Sequence, residues 1–287
     1  MNVTLSSKQV AEILGVNESS VKRWADSGML TCHKTPGGHR KFMKKDILFF
    51  GTKYSYDVNT ALLKISDETK SRNNEDIESI INIFYKKLFV SSEDELLDYL
   101  HSLILSGLII TDIYDSVISK TMRKIGEQWI NNELSIEQEH IATNKIMKVL
   151  IRLHAKITPK SNNGLTALCC SLENEYHELP VLSVSNVLSY YGWKVIYAGS
   201  NMPVKSIQSS INEFKPDVVC ISVTIMKDKN KFFNDIKKIN STSQQNKSRL
   251  ILGGSAIISI SDTILKTDAI VSNTSELVKY VKNNFRF

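Results

Sequence analysis

Residues 172–199 have the sequence LENEYHELPVLSVSNVLSYYGWKVIYAG, and the fold can be worked out from them. The run before them, residues 165–170, is apolar and uncharged, which predicts a buried parallel strand. From Pro180 onwards apolar residues recur at helical spacing, and residues 194–198 predict a second strand. This order places His177 in the loop that leads from the first strand into the helix. In open parallel sheets, ligands bind at such loops, outside the carboxyl ends of the strands.

The alternation of strands and helices continues to the C-terminus. Further strands are predicted at residues 217–223, 249–252 and 269–271, helices at residues 203–214, 228–239 and 275–284, and an exposed loop at residues 244–246. This alternation is typical of an α/β domain built on a doubly wound parallel sheet.

The middle of the chain, residues 75–157, has a helical pattern without proline. Helices are predicted at residues 76–89, 92–106, 111–130 and 135–156. Short connections between consecutive helices imply antiparallel neighbours, so this region is predicted to form a four-helix bundle.

The N-terminal part predicts two short helices joined by a tight turn. Ser6 or Ser7 can begin the first helix, Gly15 marks the turn, and the second helix covers residues 18–27. Such a pair forms a helix-turn-helix, whose second helix enters the major groove of DNA. Residues 1–50 contain eight Lys and Arg against four Asp and Glu, and phosphate contacts need that positive excess.

Residues 24–30 and 35–42, with the sequences WADSGML and TPGGHRKF, resemble the winged helix-turn-helix of MerR-type transcription regulators. In that family the second segment forms a hairpin wing beside the DNA backbone. The resemblance implies that a homo-oligomer, a dimer or a tetramer, binds a double-stranded DNA operator. The implied DNA-binding residues are Ser19, Ser20, Lys22 and Arg23 of the second helix and His39, Arg40 and Lys41 of the wing.

Trp129 is followed after nine residues by Glu139 and His140, a W-x9-E-H pattern within the predicted bundle. Taken alone, the pattern favours a core tryptophan and a solvated helix face. In this domain order, however, it resembles the adenosylcobalamin-dependent photoreceptor regulators of the CarH/LitR type. The resemblance implies that the bundle covers the upper cobalamin face, with these three residues binding the cofactor. Ile130 stands where light-sensing members commonly have a histidine, so the resemblance does not extend to a stable light-induced adduct with two histidines.

The loop around His177 resembles the cobalamin-binding Rossmann-like domain, whose signature D-x-H-x-x-G appears here as Glu175, His177 and Pro180. The resemblance implies that His177 is the metal ligand that binds cobalt from below, while Glu175 holds its imidazole ring. Pro180 departs from the family's glycine, which lets the nucleotide tail approach the backbone. Without the resemblance, His177 is equally compatible with an ordinary loop histidine. Further cofactor-binding residues implied near that tail are Ser222, Thr224, Gly253 and Gly254.

The three patterns follow one another along the chain and predict three domains. Residues 1–74 hold the winged helix-turn-helix and a linker, residues 75–160 the bundle, and residues 161–287 the Rossmann-like domain. A short helix at residues 58–65 and the polar linker SDETKSRNNED are predicted at the first boundary.

Composition limits the class of protein. With 42% hydrophobic and 23% charged residues, the 287-residue chain can bury sizeable cores, and its net charge of +6 permits an anionic partner. The four cysteines show no metal-like spacing, which predicts reduced core residues of a cytoplasmic protein. The sequence has no N-terminal apolar segment and no apolar run of about 18 residues, so neither a signal peptide nor a membrane span is predicted.

Together these features favour a DNA-binding transcription regulator, a repressor, whose oligomeric state and operator binding are controlled by adenosylcobalamin and by light. One alternative, to which Pro180 and Ile130 point, keeps the regulator but leaves its α/β domain without cobalamin. Another is a cobalamin-dependent enzyme subunit, which has no use for a winged helix-turn-helix. The sequence shows no Ser-His-Asp set, metal cluster or P-loop, and we expect no enzymatic activity.

Overall fold

The computed structural model describes residues 4–35, 37–54, 56, 58, 74–258, 260 and 265–285. The predicted helix at residues 58–65 lies outside the described residues except for Val58, and so do Pro36 of the wing and most of the predicted linker. The chain divides into two compact units, residues 1–79 with 98–109 and residues 80–97 with 110–287.

The first unit contains an antiparallel sheet of three strands with helices packed on it. In chain order its elements are β1 (Thr4–Ser6), α1 (Ser7–Leu14), α2 (Glu18–Asp26), β2 (His33–Lys34), β3 (Arg40–Met43) and α3 (Lys44–Tyr54). The central strand, β3, pairs with both β1 and β2. The predicted helix-turn-helix, α1 and α2, is therefore confirmed, and β2 and β3 form the hairpin at the predicted wing.

Local sequence explains where the helices of this unit begin and end. The Ser6 side chain caps α1 by accepting from the backbone N–H of Gln9, and the Gln9 side chain accepts from the backbone N–H of Ser6 at 2.9 Å. Gly15 then ends the helix with a φ of 63°, a left-handed conformation that favours glycine. Trp24 of α2 turns to the core, where its ring centroid lies 4.8 Å from that of Phe50.

Helices occupy the four predicted stretches of the middle region. They are α4 (Asn74–Val90), α5 (Glu93–Leu105), α6 (Ile110–Asp112) running through a π-helical turn (Ile113–Ile118) into α7 (Ser119–Ile130), and α8 (Ile136–Lys156). The π turn was not predicted, because apolar spacing does not separate it from an ordinary helical turn. Within the second unit, the Lys145 ammonium of α8 donates to the carbonyl oxygens of Leu88 in α4, at 2.9 Å, and of Ser91 directly after α4.

The C-terminal part forms a parallel sheet of five strands with helices on both faces. Its elements are β4 (Thr166–Leu172), α9 (Glu178–Tyr190), β5 (Lys194–Met202), α10 (Val204–Phe214), β6 (Val218–Ser222), α11 (Lys229–Gln245), β7 (Arg249–Gly253), β8 (Ala269–Val271) and α12 (Thr274–Asn284). The strand order is β5-β4-β6-β7-β8, and each neighbouring pair is parallel. The predicted doubly wound α/β domain is confirmed.

The largest boundary error concerns α11, which continues past the predicted end at residue 239. Gln244 and Gln245, expected in an exposed loop, lie near or at its last position. The error has a physical cause, because the buried face of this last stretch is polar. Thr242 and Ser243 are buried, and Thr242 accepts a hydrogen bond of 2.7 Å from Gln208. A polar buried face shows no apolar periodicity, so the pattern ends before the helix does.

The strand order positions the site. From β4 the chain goes to β5 on one side, whereas β6 lies on the other side of β4. The loops that follow β4 and β6 therefore diverge and leave a crevice at the carboxyl ends of these two strands. Such a switch point is where open α/β sheets bind their ligands.

Gly254, directly after β7, provides a test of this crevice wall. Its φ is 114°, and an added Cβ atom would lie 2.2 Å from the carbonyl oxygen of Val223. We expect Gly254→Ala to lower the free energy of unfolding by about 3 kcal/mol or more, because both the backbone conformation and the clash oppose a side chain. Denaturant-induced unfolding followed by circular dichroism measures the change.

Gly126 in α7 is the matched control, since a Cβ atom there would meet nothing within 4 Å. Gly126→Ala should raise the free energy of unfolding by about 0.4–1 kcal/mol. Equal effects of the two substitutions would contradict the close approach at Gly254.

Candidate functional site

A buried carboxylate, Glu175, joins the two loops that border the crevice. It lies just after β4 and is only 4% exposed. Its Oε2 atom accepts hydrogen bonds from the backbone N–H groups of Thr224, at 2.7 Å, and Ile225, at 2.8 Å, in the loop after β6. One side chain therefore fixes the relative position of the two diverging loops.

The second oxygen of Glu175 holds His177. Oε1 accepts from the His177 backbone N–H at 3.0 Å and lies 2.5 Å from Nδ1 of the ring. With a carboxylate beside it, Nδ1 carries the proton, so the lone pair of the neutral ring is on Nε2. The side chain is 47% exposed, and none of the described residues forms a hydrogen bond with Nε2. His177 therefore has the tautomer and the accessibility of a metal ligand.

The charge of Glu175 supports this arrangement. Burial acts to raise the pKa of its carboxyl group, but hydrogen bonds from His177, Ile225 and Thr224 outweigh burial and hold the pKa below its ordinary value. The group therefore stays a carboxylate at neutral pH, as the hydrogen bond from Nδ1 requires.

A cavity of about 310 Å³ lies at the carboxyl ends of β4, β6 and β7. Four of the predicted cofactor-binding residues line it, Ser222, Thr224, Gly253 and Gly254. Pro180, in the first turn of α9, lines it too, so the proline forms part of the wall. The backbone of Val223 is by itself sufficient to require glycine at position 254, because a Cβ atom would clash there.

The opposite wall of the cavity comes from the helical run 110–130, which contributes Ile118, Ser119 and Met122. The Met122 sulfur lies 4.0 Å from the hydroxyl of Thr143, which donates to Glu139 at 2.8 Å. Glu139 is thus linked through Thr143 to Met122 of the cavity wall, but it does not line the cavity itself.

None of the three predicted bundle residues, Trp129, Glu139 and His140, lines the cavity. Trp129 is 46% exposed and the His140 side chain 68% exposed, and neither lines the cavity wall. His140 contacts Glu139, with 3.4 Å between its Nε2 atom and a carboxylate oxygen. A role for these side chains in binding stays a prediction.

Two polar residues of the helical run were missed by the sequence analysis. The Tyr114 hydroxyl accepts a hydrogen bond of 3.0 Å from Asn186 of α9, and both side chains are buried. Asp115 accepts hydrogen bonds from the first residues of α12 and borders the cavity. Neither residue belongs to a motif. Tyr114 is revealed only by its hydrogen bond with Asn186, and Asp115 only by its hydrogen bonds with the start of α12.

In the first unit, α2 and the wing face a common cleft. Four of the predicted DNA-binding residues line it, Lys22, His39, Arg40 and Lys41, together with Lys8 of α1. The other three, Ser19, Ser20 and Arg23, lie on α2 outside the cleft lining, with Ser19 and Arg23 exposed. Lys22 forms an ion pair of 2.9 Å with Glu18 one turn earlier.

Arg40 is engaged within the protein. Its Nη2 atom donates to both carboxylate oxygens of Asp26, at 2.7 and 2.8 Å, and its Nε atom donates at 3.2 Å. The hydrogen bond from Arg40 lowers the pKa of Asp26. Asp26 is the last residue of α2, so this ion pair links the second helix to the wing. A phosphate contact by Arg40 stays a prediction, and it would compete with this pair.

Comparison with protein-family models finds matches in all three parts of the chain. A helix-turn-helix domain matches residues 4–49, and a B12 binding domain matches residues 90–153 and again, as a second type, residues 165–273. None of the described helices is long and apolar enough to cross a membrane.

Two transcriptional repressors are similar to the chain in sequence. The chain is 22% identical over 248 residues to the HTH-type transcriptional repressor CarH of Myxococcus xanthus, covering 80% of this chain and 82% of CarH. It is 25% identical over 108 residues to the repressor CarA of the same organism, covering 38% of this chain and 35% of CarA. Among solved structures, the monomethylamine corrinoid protein of Methanosarcina barkeri has the same fold over 72% of this chain and 99% of that protein, with a TM-score of 0.61 and 13% identity.

The order of these domains is the order in which the cleft of the first unit, the helical wall and the Glu175–His177 pair occur along the chain. The chain is therefore a CarH homologue over 80% of its length, with a helix-turn-helix domain and B12-binding domains, consistent with a CarH-like cobalamin-binding transcription regulator.

Proposed function

We propose that the chain is a DNA-binding transcription repressor, and not an enzyme, whose oligomeric state and operator binding respond to adenosylcobalamin and to light. The observation that carries this proposal is the Glu175–His177 pair. A buried carboxylate 2.5 Å from Nδ1 leaves the Nε2 atom of His177 available, and Leu179 and Pro180, which follow closely in the chain, line a cavity. The same chain also has a helix-turn-helix domain.

The surroundings of His177 favour a metal ion that arrives within a cofactor. Among the described residues, no group of three or more His, Cys, Asp or Glu side chains could hold a metal ion. A metal bound at Nε2 of His177 therefore needs other ligands that the described residues do not supply. A corrinoid meets this need, because its ring surrounds the cobalt with nitrogen ligands.

The cavity fits the tail of such a cofactor in size and chemistry. Its volume of about 310 Å³, with Pro180 in place, is within the range of small-molecule sites. The hydroxyl groups of Ser222 and Thr224 and the backbone of Gly253 and Gly254 supply polar contacts on one wall. We therefore propose that Pro180 narrows the tail pocket without closing it.

On the helical side, Trp129, Glu139 and His140 are proposed to enclose the upper face of the cofactor. The exposed Trp129 ring can cover a ligand, and Glu139 is linked through Thr143 to Met122 of the cavity wall. Bound adenosylcobalamin would supply a cobalt–carbon bond that light can break. Ile130 is 70% exposed and offers no imidazole nitrogen, so this chain has no side chain at that position to hold a light-exposed state.

Control of DNA binding requires that the ligand bind one assembly state better than another. The cavity walls come from both the helical region and the α/β domain, so a ligand in the cavity contacts both and favours one arrangement of the two. If chains in that arrangement form an oligomer, several helix-turn-helix domains bind one operator together. The gain in affinity then comes from avidity and not from stronger single contacts.

The first prediction concerns the metal ligand. His177→Ala should weaken binding of adenosylcobalamin by more than tenfold, because no other described side chain replaces Nε2. Glu175→Gln should weaken it by about 10- to 100-fold through loss of the orienting carboxylate. Absorption spectra of the protein after gel filtration with the cofactor, in the dark, measure the retained ligand.

His33→Ala, a histidine in β2 of the first unit, is the matched control and should bind as the wild type does. If the wild-type protein retains no cobalamin, the result favours the alternative of a regulator that does not bind this cofactor. Equal retention by wild type and His177→Ala would remove His177 as the ligand.

The second prediction concerns DNA. Lys41→Ala should weaken binding to all sequences and lower the slope of log affinity against log salt by about one, as expected for one lost phosphate contact. Arg40→Ala should also weaken binding, but with a smaller change of slope, because Asp26 already neutralises part of the Arg40 charge. Fluorescence anisotropy over a salt series measures both quantities.

Lys205→Ala on α10, a lysine exposed in the α/β domain, should leave the slope unchanged. Unchanged affinity of Arg40→Ala and Lys41→Ala over the whole salt series would remove the wing from the interface.

The third prediction concerns assembly. Light scattering should show a larger mass with adenosylcobalamin in the dark than without it or after green light, and operator affinity should follow the mass. Because Ile130 cannot trap the exposed state, Ile130→His should slow reassembly when fresh cofactor is added in the dark. One mass and one operator affinity under all three conditions would exclude the sensor and leave only the DNA-binding function.

A further inference from the structure

One of the contacts between the helical region and the α/β domain is made by a carboxylate, that of Asp115. Oδ1 accepts from the backbone N–H of Thr274 at 2.9 Å and from its hydroxyl at 2.7 Å. Oδ2 accepts from the backbone N–H of Ser275 at 2.9 Å and from its hydroxyl at 2.7 Å. Each carboxylate oxygen thus holds one residue of α12.

These bonds complete the cap of α12. Asn273, the residue before the helix, accepts with its own side chain from the backbone N–H of Glu276 at 2.8 Å. The first two N–H groups of a helix have no partner inside it, and here Asp115 supplies the acceptors. A negative charge at this end also interacts favourably with the helix dipole. The contact therefore combines charge-assisted hydrogen bonds with a dipole interaction, and it is stronger than an exposed ion pair.

The π turn places Asp115 where this contact can form. The cavity is lined by residues of the helical run at spacings of four: Tyr114, Ile118 and Met122, and beside them Asp115, Ser119 and Arg123. An α-helix has about 3.6 residues per turn, so a spacing of four drifts around it. A π turn holds more residues per turn, and the one at Ile113–Ile118 offsets the drift, which keeps both rows on the cavity wall.

A second polar contact lies beside the first. The Asn186 side chain of α9 donates to the Tyr114 hydroxyl at 3.0 Å and to the carbonyl oxygen of Leu150 in α8 at 3.3 Å. Asn186, Tyr114 and Leu150 are all buried. The helical region is thus attached to the α/β domain at α9 and at α12, on two sides of the cavity.

We infer that Asp115 is the positioning residue that docks the helical region on the α/β domain, and that this docking is coupled to corrinoid binding in the cavity. Asp115, Asn273 and Thr274 all line the cavity, so the docking contact is part of its wall. A ligand that fills the cavity contacts both walls. If the walls are already docked before binding, less free energy is spent on ordering them when the ligand binds. By linkage, the ligand must strengthen docking by the same factor. The inference rests on the proposed function.

The experiment compares dark titrations of the full chain with adenosylcobalamin. Asp115→Ala should raise the Kd about tenfold, which corresponds to about 1.4 kcal/mol. Ser275→Ala should raise it less, and the double variant should bind no more weakly than Asp115→Ala alone, because both changes break one contact. Glu127→Gln, on the exposed side of the same helical run, is the matched control and should leave the Kd unchanged.

Two outcomes of the titration would overturn the inference. A Kd of Asp115→Ala within twofold of the wild type, even with a lower melting temperature, would make Asp115 a purely structural residue. Fully additive effects of Asp115→Ala and Ser275→Ala would mean that Asp115 does not act through α12.

A second measurement separates this inference from the proposed function. Trypsin cleavage between α8 and β4, at residues 157–165, reports undocking without any ligand. If the wild type binds no corrinoid, the proposed function fails, and faster cleavage of Asp115→Ala than of Glu127→Gln still supports docking by Asp115. Equal cleavage rates of these two variants would overturn it.

Discussion

The arrangement of the site depends on the carboxylate of Glu175, which accepts four hydrogen bonds from groups on both sides of the strand-order reversal. A buried charge is unfavourable unless it is paired or hydrogen-bonded. Here each hydrogen-bond donor to Glu175 belongs to a group whose position the site depends on. The same oxygens that orient the imidazole ring of His177 also hold the loop after β6. The position of His177 and the width of the crevice are therefore not independent, since both follow from one side chain.

The helical region meets this crevice through a contact of the same kind, a carboxylate that accepts backbone N–H groups. Asp115 holds the start of α12 as Glu175 holds the loop after β6. In both cases an acidic side chain from one segment satisfies donors that a neighbouring segment leaves open. Charge-assisted hydrogen bonds of two carboxylates, Glu175 and Asp115, therefore hold the segments that border the cavity, and apolar residues line the space between these two contacts.

Much of the fold could be predicted from the sequence, because apolar runs, helical spacing and glycine turns are local signals. The strand ends near Ser222 and Gly253 and the helix-turn-helix belong to this class. The end of α11 could not be predicted, because the buried residues Thr242 and Ser243 are polar and give no apolar pattern. The π turn could not be predicted either, because it differs from an α-helical turn only by a small change of pitch. In the site, motif spacing singled out Glu175 and His177. The roles of Asp115 and Asn186 were not predicted, because their hydrogen-bond partners are 159 and 72 residues away in the sequence and no pattern links them.

The ion pair between Asp26 and Arg40 also has a consequence for how an operator can change. It joins the end of α2 to the first residue of β3 by three hydrogen bonds, so the helix and the hairpin that are proposed to contact DNA are linked to each other. In the proposed complex, a base pair inserted between their contacts would displace one set of contacts by about 3.4 Å relative to the other. As long as the ion pair is kept, the two elements cannot both follow this displacement. A change in the length of a half-site is therefore expected to cost more affinity than the substitution of a single base within it.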